Sequence, residues 1–175
     1  LSESGLDVLI ASCYKWMLAG YGNGVVMIKE GIQKKISPRV IGFNSSDAVY
    51  VKRDDIAFMR RFEPGHLDTL SFGSLEKSID MLQKIGMNVI VNKINLLAVE
   101  AKKQFEELNL LNDAVKKRKE HSSIFNITAD NGLFQKLKEN NIICSQRGTG
   151  IRVGFHYYNS LEDLNALTDV IKTNI

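Results

Sequence analysis

The sequence predicts an α/β fold with helices packed on a sheet. Short β-branched apolar runs recur along the chain, and apolar stripes at three- and four-residue spacing run through its second half. No internal repeat or low-complexity segment points to a different architecture. The composition agrees: 44% hydrophobic and 25% charged residues in a chain of 175 supply a core and exclude a disordered tail. Lys and Arg number 23 against 20 for Asp and Glu, too small an excess to describe a nucleic-acid binder. No apolar run approaches the span of a bilayer, so no membrane partner is expected. Cys13 and Cys144, the two cysteines, are too few for a disulfide framework or a four-ligand zinc site. A reducing, cytoplasmic setting without a metal centre is the default.

Taken in order, residues 7–14 (DVLIASCY) read as a buried strand. A glycine-rich turn, GYGNG, then leads into a second strand at residues 24–29 (GVVMIK). A short helix is expected near residues 31–36, followed by an extended loop that carries Pro38. Residues 62–73 are turn-rich. Helical spacing begins with Leu75, Ile79 and Leu82, is interrupted at Gly86, and resumes through Ile90, Ile94, Leu97, Ala101, Phe105 and Leu108 as one long amphipathic helix. In the last third, residues 123–128 form a strand and residues 131–139 a helix. Residues 142–147 and 151–155 form two strands joined by Gly148, Thr149 and Gly150. Ser160 with Asp163 has the spacing of a capping box, and Leu164, Leu167 and Ile171 give the terminal helix its apolar face.

Lys15 is the residue with the most chemical interest. It follows an apolar strand and precedes Trp16, Met17 and Leu18, so partial enclosure is expected. Desolvation favours the neutral amine, the form that attacks a carbonyl. The alternative is a lysine snorkelling from a strand end into water. Ser12 and Tyr14 place hydroxyls beside it, and Gly20, Gly22 and Gly24 permit a close backbone approach, either to a phosphate or in an ordinary hairpin turn.

The segment SCYKWMLAGYGNGVVMIKE resembles the Schiff-base lysine segment of class V aminotransferases, pyridoxal-phosphate enzymes of fold type I. That family includes cysteine desulfurases, selenocysteine lyases and epimerase-like members. RFEPGHLDTLSFGSLEKSIDMLQKIG is similar to the family's Phe-Glu-x-Gly-Thr stretch with its following helix, and GIRVGFHYYNSLEDLNAL resembles its C-terminal ending. The resemblance implies that Lys15 carries the cofactor as a Schiff base and later moves the substrate's α-proton. Ser12 would contact the cofactor phosphate. Arg152 would hold the substrate α-carboxylate through a two-point fork, with Arg147 as a second candidate. Tyr14 stands where the family usually has histidine, and His66 where many members have a threonine that reaches the partner subunit's phosphate; both remain able to donate to phosphate. The desulfurase branch needs a mobile cysteine just before the carboxylate-binding arginine. None lies between Arg147 and Arg152, so desulfuration is disfavoured. Cys13 and Cys144 read as buried small hydrophobes, His121 and His156 as ordinary polar residues, and the basic run 116–119 as a solvated helix end.

On this resemblance, residues 1–74 are the end of a fold type I large domain with the lysine loop, and residues 75–175 a small C-terminal α/β domain. The chain is then the C-terminal portion of an amino-acid-processing transferase, lyase or epimerase, expected as a homodimer. By itself it is expected to bind cofactor poorly and to be inactive, and to expose apolar surface around residues 8–11 and 25–28. The competing expectation, which leans on Tyr14 and His66, is a non-catalytic α/β interaction module that shares ancestry with these enzymes.

Overall fold

The computed structural model describes residues 3–49 and 55–175; residues 50–54 of the expected loop lie outside the described residues. The chain divides into two compact units, Leu1–Lys84 and Ile85–Ile175. Both are α/β, each with one small antiparallel sheet.

In the first unit, β1 (Val8–Ser12) and β2 (Gly24–Ile28) pair antiparallel, from Val8 opposite Ile28 to Ser12 opposite Gly24. Three short 3-10 turns follow, at Glu30–Lys35, Asn44–Ser46 and Met59–Phe62, and then helix α1 (Thr69–Ile85). The strands form where the apolar runs predict them, but β1 is not buried. Val8, Leu9 and Ile10 are exposed, Ile10 by 74%, as are Val26 and Met27 of β2. The physical reason is the small layer behind the hairpin: Cys13, Ala19 and Leu75, with Met17 and Val25 packed against them. Two strands over so small a cluster keep only part of their apolar surface from water.

Helix α1 begins at Thr69, earlier than the apolar spacing from Leu75 implies. Asp68 decides the start. Its carboxylate accepts from the backbone N–H of Leu70 at 3.0 Å and of Ser71 at 3.2 Å, satisfying donors that have no carbonyl partner in the first turn.

The second unit contains α2 (Met87–Glu107), the single turn α3 (Asp113–Lys116), β3 (Ile124–Thr128), α4 (Asn131–Glu139), β4 (Ser145–Arg147), β5 (Gly150–Gly154) and α5 (Leu161–Asn174). The strand order is β3-β5-β4, antiparallel throughout. Alternation divides the sheet cleanly. Phe125, Ile127, Ile151 and Val153 enter a core with Leu97, Ala101 and Phe105 of α2, Leu133 and Leu137 of α4, and Leu164, Leu167 and Ile171 of α5. Phe105 meets Phe125 edge-on, with ring centroids 5.2 Å apart. Asp130 caps α4 by accepting from Leu133 N–H, and the expected capping box of Ser160 with Asp163 is complete.

Strand β4 starts at Ser145, so Cys144 precedes it rather than lying on it. Residues after α4 are spent on closing that helix. Asn141 adopts a left-handed φ of 60°, and Ile142 N–H donates to Leu137 C=O at 2.9 Å. Ile143 then points into solvent.

At Gly150 a Cβ would overlap the carbonyl oxygen of Ile127 on β3, whereas at Gly154 it would make ordinary contacts, 3.6 Å to Ile124 Cγ1 and 4.0 Å to the Ser123 carbonyl oxygen. Gly150→Ala is therefore expected to destabilise the second unit by about 2 kcal/mol through forced backbone displacement. Gly154→Ala should stay within about 0.5 kcal/mol of the parent. Urea denaturation of the two variants side by side checks this contrast.

Candidate active site

Lys15 sits in the turn between the two strands of the first unit. The turn is closed at its base by Ala19 N–H donating to Cys13 C=O at 3.1 Å, and within by Leu18 N–H donating to Lys15 C=O at 3.0 Å. Leu18 takes a left-handed φ of 57° to make this closure. The enclosure expected of Lys15 is not found: Lys15 is exposed, and so are Trp16 and Leu18, the side chains expected to cover it. Its ammonium lies 5.2 Å from the centroid of the Tyr14 ring, which in turn is tilted against Tyr21 at 5.1 Å. Ser12, at the last position of β1, is exposed as well. The segment thus presents two hydroxyls and one amine on a single short stretch of surface.

The glycines after the turn do not leave an open cradle. Gly20 N–H donates to Ser74 Oγ at 2.7 Å, and the Ser71 hydroxyl lies 2.7 Å from Tyr21 C=O. Asn23, buried, donates its side-chain N–H to Ser71 C=O at 2.7 Å. A Cβ at Gly22, where φ is +94°, would stand 2.8 Å from Ser71 Oγ. The close approach that Gly20 and Gly22 permit is therefore to the serines of α1, and that of Gly24 is to the Ala11 carbonyl of β1. Ser12, Tyr14 and Tyr21 are the exposed hydroxyl-bearing residues of this segment.

Sequence reasoning missed Asp68, Ser71, Ser74 and Asn23. Asp68 ahead of an apolar periodic run is an N-cap signal and could have been read. The pairing of two serines with a turn some fifty residues earlier leaves no local trace.

His66 is exposed and stacks on Phe43, with centroids 5.1 Å apart. Its surroundings are fixed by residues 42–46: Asn44 N–H donates to Pro64 C=O at 3.1 Å, and the Asn44 side chain donates to Glu63 C=O at 3.0 Å.

In the second unit, Arg152 stands at the middle of central strand β5, on the face opposite the core. Asn126 of β3 and Ser145 of β4 are its cross-strand neighbours. Arg147 projects from the same face, opposite Gly150, and its backbone C=O accepts from the Asn126 side chain at 3.3 Å. Glycines at positions 150 and 154 flank Arg152 on that face, which leaves its guanidinium an open, polar platform. Asn126 is the residue here that no sequence signal marked.

Of the cysteines, Cys13 is fully buried; Cys144 is partly buried, and burial pushes its thiol up, away from the reactive thiolate. His121 stacks on Phe125 at 4.3 Å, and His156 is buried beside Tyr157 and Tyr158. Among the described residues, no group of three or more His, Cys, Asp or Glu side chains converges as a metal site, and no helix is long and apolar enough to cross a membrane.

The donor set around Lys15 fits a phosphorylated aldehyde in kind, with hydroxyls for the phosphate and an amine for the carbonyl. The sequence profile of the aminotransferase class-V family matches residues 1–171, and the chain belongs to that family. It is a distant relative of the family's pyridoxal-phosphate-dependent, aminotransferase-like enzymes. It is 25% identical over 136 residues to a probable cysteine desulfurase of Borreliella burgdorferi, covering 75% of this chain and 32% of that protein. It is also 25% identical over 184 aligned positions to the uncharacterized aminotransferase YcbU of Bacillus subtilis, covering 98% of this chain and 46% of that protein. The chain thus spans less than half of the length of each of these relatives.

The Asp68 carboxyl is held below the usual carboxylate range, first by the Ser71 hydroxyl and then by the backbone N–H groups of Ser71 and Leu70. A depressed folded value stabilises above the ordinary range and is lost as pH falls through the folded value. Acidification is expected to fray the first turn of α1. Asp68→Ala should show the same fraying already at neutral pH, read by hydrogen exchange at the amides of Leu70 and Ser71.

Proposed function

We propose that this chain is the C-terminal part of a pyridoxal-phosphate-dependent enzyme of the class V aminotransferase type, acting on an amino acid. The observation that carries the reading is the family match across residues 1–171 in a chain that offers a lysine amine at the tip of a hydrogen-bonded turn. When bound, the cofactor supplies an aldehyde for the amine and an electron sink for the substrate's α-carbon. Ser12 and Tyr14 donate to its phosphate from the same segment as Lys15. His66 is a further donor, a role supported by its exposed, stacked position on Phe43. Lys15 is the catalytic residue: its Nζ takes the α-proton from the substrate and returns it, to the same carbon or a neighbouring position. Arg152 binds the α-carboxylate through its planar fork, with Arg147 on the same face adding positive charge.

Transamination, β-elimination and epimerisation all begin with loss of that α-proton, and Lys15 serves each. Desulfuration is disfavoured: Cys13 is enclosed, Cys144 is held as a thiol, and neither lies between Arg147 and Arg152. A homodimer in the cytoplasm is the setting we infer. The exposure of Ser12, Tyr14 and Lys15 together favours a second reading, a related interaction module without catalysis.

Pyridoxal phosphate followed by borohydride fixes the cofactor on a reactive lysine as a secondary amine, which peptide mapping locates. In protein expressed from the complete gene, Lys15 should be labelled stoichiometrically, and Lys15→Ala should lose both label and turnover of an amino-acid panel. The isolated 175-residue chain should be labelled weakly. Absence of label at Lys15 in the complete protein would support the interaction module instead.

A further inference from the structure

We infer that Ser74, together with Ser71, is a positioning residue for Lys15: the opening turns of α1 fix the backbone that presents the lysine amine. This rests on the catalytic reading of Lys15 and extends it to the helix behind the turn.

The lysine turn is held on both sides. Before it, Cys13 is buried with Ala19 and Leu75; its N–H donates to Asn23 C=O at 3.4 Å, and its C=O accepts from Ala19. After it, Gly20 N–H ends on Ser74 Oγ, Tyr21 C=O faces Ser71 Oγ, and the Asn23 side chain ends on Ser71 C=O, each at 2.7 Å. What lies between Cys13 and Ala19 is a short stretch closed by the Leu18 to Lys15 bond. It has little freedom of its own, so a shift of the α1 serines is transmitted to Lys15.

Ser74 is the cleaner probe of the two. The Ser71 hydroxyl has one proton and two acceptors in reach, Tyr21 C=O at 2.7 Å and the Asp68 carboxylate at 2.6 Å. Removing it disturbs the helix start as well as the turn. Ser74 Oγ instead accepts from the part-buried Gly20 N–H, and loss of the hydroxyl leaves that donor without its partner.

The test uses protein expressed from the complete gene, treated with pyridoxal phosphate and borohydride across a pH series. The labelling rate of Lys15 is expressed relative to Lys102. That lysine is an internal reference in the second unit, its ammonium held by the carbonyls of Lys116 at 3.1 Å and Arg118 at 2.6 Å. Ser74→Ala is expected to lower the Lys15 to Lys102 ratio by roughly three- to tenfold and to move the pH midpoint of Lys15 labelling. Ser74→Thr, which keeps a hydroxyl, should restore both. Ser71→Ala should show the same selective loss and stands in if Ser74→Ala does not fold. A wild-type ratio and pH profile in Ser74→Ala would overturn the positioning role while leaving Lys15 catalytic. An equal change at Lys15 and Lys102 would likewise overturn it, in favour of general destabilisation. Wild-type Lys15 reacting no faster than Lys102 would remove the catalytic reading itself, and the positioning role with it.

Discussion

The hydrogen bonds between the glycine turn and the opening of α1 are the constraint on which the first unit depends. Its apolar cluster is small, so burial alone does little to fix the strand connection. Directed polar contacts take over that task. Ser74 receives Gly20 N–H, Ser71 faces Tyr21 C=O, and the buried Asn23 links Cys13, the residue after β1, to α1 through its backbone and side chain. Asp68 in turn fixes where the helix starts, and so where both serines stand. Exposure of Lys15 and rigidity of its backbone are compatible because the restraint comes from behind the turn.

The second unit is held by a different balance. Its sheet is one-sided: a continuous apolar core occupies one face, and mainly polar side chains, with the exposed Ile124 at one end, occupy the other. That division places Arg152 and Arg147 on the open face without any special device, since alternation along β5 dictates it. Gly150 is the point where the sheet tolerates no side chain, because β3 passes against it. Arg152 therefore stands on a strand paired on both sides, so its backbone is held by β3 and β4 together.

The second unit was largely legible in the sequence. Helix stripes, the Asn131–Glu139 helix, the Gly148 turn and the Ser160–Asp163 capping box all follow from short-range patterns that a single dominant core reinforces. The first unit was legible only in part. Apolar runs gave β1 and β2, but the same residues suggested burial, and the described unit has too little behind them to provide it. The start of α1 was obscured by Pro64, Gly65 and Gly73, which read as turn signals although Asp68 controls the boundary. Of the candidate site, the residue types around Lys15 and Arg152 were readable from local motifs. The exposure of Lys15, the serine contacts to the glycines, and Asn126 beside Arg152 come from long-range packing that no short window contains.

Catalysis by this chain would depend on a lysine whose backbone is locked to a helix roughly fifty residues further along the sequence. The most direct measurement of that lock is native-state hydrogen exchange at the amides of Ala19 and Gly20, compared with those of Leu75 and its neighbours in α1. The account predicts that the turn amides are protected and exchange through the same opening event as α1, because they are bonded to Cys13 and Ser74. Exchange of Ala19 and Gly20 at the rate of an unstructured loop, with α1 still protected, would contradict it.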